Sequence, residues 1–126
     1  MAGNSRNLQQ RIKDDIESYH GHPDTVKPGF LEKAGIKKVP PSRLHANPDD
    51  EFSDPRIGPN DSIISNYSQI ARRNYSTGDA VYTEPIMVNK LRQGDYLILN
   101  GHHRWAGALQ ACVPTVRIRI LDPDRL

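Results

Sequence analysis

The chain has 126 residues, of which 36% are hydrophobic and 25% charged, and its formal net charge at pH 7 is +2. This length suits one domain with a modest core, and so small a charge does not by itself indicate a nucleic-acid surface. A single cysteine excludes an internal disulfide framework and a cysteine-based zinc site.

The sequence shows no export or membrane signal. No apolar run approaches the roughly 18 residues of a membrane-spanning helix, and the first residues lack the apolar segment of a signal peptide. The single cysteine also fits a reducing compartment. We therefore predict a cytoplasmic protein with no membrane partner.

The first periodic segment is predicted to form an amphipathic helix in an N-terminal unit, residues 1–24. Its apolar stripe follows the spacing of one helix face and comprises Leu8, Ile12, Ile16 and Tyr19. Gly21 and Pro23 are typical of a helix end. His20 and His22 are interpreted as exposed residues near the negative end of the helix dipole, rather than as metal ligands.

The next part of the chain is rich in turn-forming residues. A loop leads to a short strand predicted around 35–39, and the segment 40–61 then contains five prolines and five carboxylates. This composition excludes regular structure over most of its length. Two interpretations stay open, an ordered functional loop and a solvated linker.

A second helix is predicted over 62–75, capped by Asp61 or Ser62 and ending near Gly78. Its apolar face comprises Ile63, Ile64, Tyr67, Ile70 and Ala71.

Three further elements are predicted in the C-terminal third. Strands over 84–91 and 95–101 are joined by a tight turn at Gly94. A helix over 103–112 follows, in which Cys112 is expected to be buried. The closing strand alternates apolar and arginine residues, so that Val116, Ile118 and Ile120 face the core. The order of elements predicts an α+β fold, a small mixed sheet with flanking helices.

The junction between the last hairpin and its helix reads Asn100-Gly101-His102-His103-Arg104. A helix N-terminus attracts anions, glycine permits close backbone approach, and arginine offers a forked cation. Both histidines can donate hydrogen bonds to phosphate, whereas adjacent histidines point in different directions and are unsuited to one metal ion. The motif predicts a phosphate cradle, and the following Trp105 is assigned to the core rather than to base stacking.

The segment Glu84–Leu121 resembles the ParB/sulfiredoxin superfamily. Gly101–Arg104 match the GxxR turn of the pattern, and Pro85 and Ile86 match the strand that precedes it. Weaker similarity extends back to Ile36, so we assign residues 25–126 to a ParB/sulfiredoxin-like domain. The turn is closest in motif to the "DGHHR" of free serine kinases, although Asn100 stands in place of the aspartate.

The resemblance implies a nucleotide-binding domain that uses ATP, ADP or CTP, with Mg²⁺, for nucleotide hydrolysis or phosphoryl transfer. His102 stands where sulfiredoxins carry their catalytic cysteine, and the sequence has no helix-turn-helix region like that of partition proteins. Sulfinic acid repair and centromere binding are therefore not expected. The residues implied to bind the nucleotide are Asn100, Gly101, His102, His103, Arg104, Pro85 and Ile86.

The acidic part of the segment 40–61, residues 47–60, supplies the candidates for chemistry and is called the acidic loop. Glu51, Asp50 and His103 are the candidate catalytic residues, and Asp50 and Asp54 are the candidate Mg²⁺ ligands. A carboxylate of this loop would hold Mg²⁺ or act as a base.

Two alternatives stay open. One is a non-catalytic nucleic-acid-binding or regulatory module, and the other is a metal-dependent DNA nuclease that uses the acidic loop. DNA is therefore a possible partner, and the oligomeric state is open. The basic face of such a module would comprise Arg72, Arg73, Arg92, Arg117 and Arg119.

Overall fold

The computed structural model describes residues 5–18, 24–33 and 35–124. The described helices are α1 (Ser5–Ser18), α2 (Phe30–Lys33), α3 (Asp61–Thr77) and α4 (His102–Ala111). The described strands are β1 (Thr25–Val26), β2 (Lys37–Val39), β3 (Leu44–His45), β4 (Ile86–Leu91), β5 (Tyr96–Asn100) and β6 (Val116–Ile120).

The strands form one mixed sheet in the order β2-β6-β4-β5-β3, with β1 paired to β4. The β4–β5 hairpin is antiparallel, whereas β6 runs parallel to β4 and β3 runs parallel to β5. Gly94 supplies the turn of the hairpin with a φ of 106°. The predicted α+β class with a small mixed sheet is confirmed.

Helix α3 begins and ends at residues suited to capping. The side chain of Asn60 accepts a hydrogen bond from the amide of Ile63 at 3.1 Å, and Gly78 closes the helix in the left-handed conformation. The prediction that Asp61 or Ser62 is the N-cap is therefore wrong by one or two residues. The end at Gly78 is confirmed.

The core lies between the sheet and helices α3 and α4. Strand β6 alternates as predicted, since Val116, Ile118 and Ile120 are buried. Trp105 is fully buried, and its indole N–H donates to the carbonyl of Pro41 at 2.9 Å. Its assignment to the core is confirmed.

Helices α3 and α4 cross at Gly107 of α4. A Cβ built there would lie 2.7 Å from the Cβ of Tyr67 and 2.9 Å from the amide nitrogen of Ser68. The crossing is thus close enough that glycine is needed for the two backbones to approach.

Helix α1 joins the same core through Leu8 and Ile12 and is also held by polar contacts. Asp15 lies 2.6 Å from Nδ1 of His45 and accepts from the amide of Ala46 at 2.6 Å. The other ring nitrogen of His45 lies 2.9 Å from a carboxylate oxygen of Asp95. Burial opposes the charged imidazole, but the two carboxylates outweigh it and raise the pKa of His45.

Two further predictions concern the burial of Cys112 and the end of the first helix. Cys112 is exposed rather than buried, because it caps α4 in the left-handed conformation with a φ of 58°. The predicted helix end at Gly21 and Pro23, with His20 and His22, lies outside the described residues.

Within the described ranges, no helix combines the length and the apolar character needed to cross a membrane.

Candidate functional site

The strand-to-helix junction forms a glycine turn. Strand β5 ends at Asn100, Gly101 adopts a φ of 111°, and α4 begins at His102. A Cβ on Gly101 would lie 2.9 Å from Nη2 of Arg104, so both the backbone conformation and the space favour glycine. Gly101 is thus the residue that directly precedes the first amides of α4.

A cavity of about 280 Å³ lies at the turn. It brings together residues from three parts of the chain: the turn itself, the acidic loop and helix α3. The lining residues are Asn100–Arg104 with Leu99, Asp50 from the loop, and Ile63 and Tyr67 from α3. The structure thus places five of the seven predicted nucleotide-binding residues around one cavity.

His102 is almost completely buried, with 4% of its surface exposed. Its Nε2 accepts a hydrogen bond from the amide of Asn47 at 3.0 Å, which requires that nitrogen to be unprotonated. Burial is the main cause that lowers the pKa of His102 to about 4, while the nearby Asp50 carboxylate, 3.5 Å from Nδ1, acts in the opposite direction. His102 is therefore neutral at pH 7.

His103 makes the equivalent contact at the other end of the loop. Its Nε2 accepts a hydrogen bond from the amide of Asn60 at 3.1 Å. Burial also lowers the pKa of His103, against the opposing charge of Asp50. The two consecutive histidines thus hold both ends of the acidic loop against the start of α4.

Arg104 extends from α4 back across the turn. Its Nη1 donates to the carbonyl oxygens of Glu84 and Pro85 at 2.8 and 3.4 Å. Its Nη2 donates to the side-chain oxygen of Asn100 at 3.0 Å. The backbone carbonyl of Arg104 accepts from the hydroxyl of Tyr82 at 2.6 Å. The guanidinium is therefore fixed beside the cavity.

Pro85 and Ile86 lie under the turn rather than in the cavity lining. Ile86 is fully buried, and its Cγ1 lies 3.2 Å from the position of a Cβ on Gly101. Pro85 contributes the carbonyl that accepts from Arg104. Ile86 thus packs against Gly101, and Pro85 helps to fix Arg104.

The three candidate carboxylates are not equivalent. Asp50 lines the cavity and also caps a short 3₁₀ turn by accepting from the amide of Phe52 at 2.9 Å. Glu51 is exposed, and Asp54 accepts from the amide of Arg56 at 2.8 Å; both line a separate groove beside α1. Within the described part of the chain, no group of three or more His, Cys, Asp or Glu side chains is arranged to hold a metal ion.

Five residues of this region were not predicted as site residues. The backbone amides of Asn47 and Asn60 donate hydrogen bonds to the two histidines. Leu99, Ile63 and Tyr67 line the cavity. The i, i+4 spacing of Ile63 and Tyr67 had placed them on an apolar helix face. The same spacing is expected for residues that line a cavity and for residues that pack in the core, so it does not distinguish the two.

The chain resembles known proteins in its structure rather than in matches to families or curated sequences. No protein-family model and no curated protein sequence matches the chain. The chain is similar to the C-terminally truncated chromosome-partitioning protein ParB from Caulobacter crescentus complexed with CTP-gamma-S. That match has a TM-score of 0.57 and 26% identity, over 73% of this chain and 47% of that one.

A second structure of the same ParB, complexed to the centromeric parS site, gives a TM-score of 0.53 and 26% identity. The match covers 71% of this chain and 42% of that one. The described residues thus form a ParB-like domain, as the GxxR resemblance predicts. The chain spans less than half the length of these two structures.

Proposed function

We propose that this domain binds a nucleotide in the cavity at the glycine turn, with the phosphates on the turn and the first amides of α4. The observation that supports this most directly is the convergence of Gly101, Arg104 and a helix N-terminus on one cavity. The likeness to a ParB bound to CTP-gamma-S adds independent support and favours CTP over ATP or ADP.

Arg104 supplies the fixed positive charge. Its Nη1 donates to the carbonyls of Glu84 and Pro85 and its Nη2 to Asn100, which orients the fork, and we assign the remaining N–H groups of the guanidinium to phosphate. Orientation by the protein itself reduces the entropy lost when the ligand binds. His102 and His103 are then indirect contributors, because their Nε2 atoms hold the acidic loop beside the cavity.

We further propose that bound Mg²⁺ takes Asp50 as its protein ligand, since Asp50 is the acidic-loop carboxylate that borders the cavity. Mg²⁺ commonly uses one or two carboxylates together with substrate phosphates, so one carboxylate fits. Asp54 lines the separate groove, and its participation requires the acidic loop to rearrange. The ion would neutralise phosphate charge.

Hydrolysis or phosphoryl transfer is the proposed consequence of binding. Asp50 is the candidate carboxylate base at the cavity, whereas Glu51 lines the separate groove and would need the acidic loop to rearrange. His103 could accept a proton at Nε2 only after releasing the amide of Asn60. Turnover of CTP and ATP by Asp50→Asn, Glu51→Gln and His103→Gln, with nucleotide affinity measured separately, tests these roles. Parental turnover in all three variants would show that these side chains carry no chemistry.

The binding proposal is tested with Arg104. Calorimetry with CTP, ATP and ADP, with and without Mg²⁺, identifies the ligand. Two charge-assisted hydrogen bonds of about 1.5–3 kcal/mol each predict that Arg104→Ala weakens binding on the order of a hundredfold. Arg104→Lys should recover part of this, since it keeps the charge and loses the fork. The matched control is Arg73→Ala, which removes an exposed arginine of α3 and should bind nucleotide as the parent does.

Circular dichroism must show that the Arg104 variants fold, because Arg104 also fixes the backbone at Glu84. If folded Arg104→Ala binds nucleotide as tightly as the parent, the turn is a structural cap.

DNA binding is a second candidate, because one similar structure contains parS DNA. Two residues of the predicted basic face are engaged inside this domain: Arg92 contacts Asp24, and Arg117 donates to the carbonyls of Tyr82 and Thr83. Salt-sensitive DNA retention without any nucleotide-induced thermal shift would favour this second function.

A further inference from the structure

A second and larger cavity lies beside the nucleotide site. It is a groove of about 870 Å³ between helix α1 and the acidic loop. The apolar side chain that it exposes from α1 is Ile16, which is partly buried against the core, and Ile12 and Phe52 lie beneath with only 3% and 2% of their surface exposed. Three prolines of the loop form much of the opposite wall, namely Pro48, Pro55 and Pro59.

The rim of this groove is strongly acidic. Six of its lining residues are carboxylates and one is a lysine, Lys13. Glu17, Asp49 and Glu51 are exposed, so their charges face solvent around the apolar floor. The remaining rim carboxylates are Asp50, Asp54 and Asp61. Asp54 is paired with Arg56 at 3.5 Å, and the combined field of the other rim carboxylates attracts cations to the groove and disfavours an anionic polymer or an anionic lipid surface there.

The dimensions of the groove fit a polypeptide better than a small ion. Along α1 it extends from Gln9 to Glu17, which is about 12 Å at the helical rise. This length accommodates roughly four residues of extended chain. Successive side chains of an extended chain point in opposite directions, so one set can reach the floor while the other reaches the rim.

We propose that this groove binds an extended basic polypeptide segment, in which apolar side chains alternate with lysine or arginine. The apolar side chains would cover Ile16 and the rings of Pro48 and Pro55, and the cations would lie against Glu17 and Asp49. This interaction is separate from nucleotide binding. Asp50 is the residue that borders both cavities, so an occupied groove would lie directly beside the nucleotide.

The test uses fluorescence anisotropy with two labelled peptides, one of alternating lysine and leucine and one of alternating glutamate and leucine. The basic peptide should bind the parent, and its affinity should fall as salt is raised from about 50 mM to about 500 mM. The acidic peptide should not bind. Equal binding of both peptides would show a merely hydrophobic surface and overturn the proposal.

Variants locate the site. The double variant Glu17→Lys/Asp49→Lys should weaken binding of the basic peptide at least tenfold, and Ile16→Ala should also weaken it. Glu17→Lys alone should also weaken binding, and its control Asp79→Lys makes the same single charge reversal at an exposed residue beyond the end of α3 and should have little effect. An equal loss with Asp79→Lys would show non-specific charge attraction, which contradicts a specific groove.

Two further measurements separate the alternatives. If the parent is a dimer that Glu17→Lys/Asp49→Lys dissociates, the occupant is a second copy of this chain and the proposal is wrong. The nucleotide-induced thermal shift should survive Glu17→Lys/Asp49→Lys, and peptide binding should survive Arg104→Ala. Failure of one proposal therefore leaves the other measurable.

Discussion

The buried imidazole of His102 should make the stability of the domain depend on pH in a defined direction. Its pKa is lowered from 6.5 to about 4, mainly by burial, while the unfolded chain keeps the ordinary value. Between these two values the unfolded state binds more protons than the folded state, so stability falls as the pH falls. The stabilisation is complete above about pH 6.5 and is lost by about pH 4.

The magnitude follows from the size of the shift. A change of this size in the pKa corresponds to about 3 kcal/mol of unfolding free energy, which is a large part of the stability of a small domain. His45 acts in the opposite direction, because its raised pKa stabilises the fold below the unfolded pKa and loses that effect as the pH rises through the folded value.

Urea unfolding of the parent and of His102→Gln at several pH values between about 7 and 4 isolates this effect. Glutamine can accept the amide hydrogen bond of Asn47 and does not titrate. The stability advantage of the parent over His102→Gln should therefore shrink by about 3 kcal/mol as the pH falls. Parallel curves for the two proteins would refute the assignment of a buried, neutral His102.

Two further predictions concern backbone positions. Gly107→Ala should destabilise the domain by about 2 kcal/mol in urea unfolding, because the added methyl group meets the backbone of α3. The control is Gly35→Ala, which should change the unfolding free energy little because no atom lies within 4 Å of the added Cβ. Equal effects would mean that the helices do not cross so closely. Cys112→Gly should raise the thermal midpoint, with a gain of about 1 kcal/mol, since glycine adopts the left-handed cap without strain. Cys112→Ala is the control, and a matching gain there would contradict this cause.

The sequence predicted the elements that carry a strong local pattern. The period of two in Val116–Ile120 and the glycine between two apolar runs at Gly94 identified β6 and the hairpin. The break at Gly101 located the start of α4 within one residue. In each case the deciding information lies within a few neighbouring residues, so a single sequence contains it.

Very short strands and contacts between residues far apart in the sequence could not be predicted from such local patterns. Strand β3 has two residues, too few to show any period, and pairs with β5 about fifty positions away. The partners of His102 and His103 are backbone amides, which have no signature in the sequence. Cys112 was expected to be buried because free cysteine behaves as a small apolar residue. It instead occupies the left-handed helix cap, a position that glycine usually takes.

Several predictions rest on the sequence alone. The division at residue 24, the cytoplasmic location and the catalytic assignments of Asp50, Glu51 and His103 stay predictions. The metal assignment of Asp50 and Asp54 is a prediction as well.

The double attachment of the acidic loop also bears on the order of events in folding. The contacts of His102 with Asn47 and of His103 with Asn60 join residues 55 and 43 positions apart. Such distant pairs form after the local elements, because the chain entropy of closing large loops is lost before the contact is gained. We therefore expect the acidic loop to form its native contacts after the folding transition state. His103→Ala should then accelerate unfolding more than it slows refolding in stopped-flow experiments. The loop beside the nucleotide cavity would then also be the first part to detach from a domain that is otherwise intact.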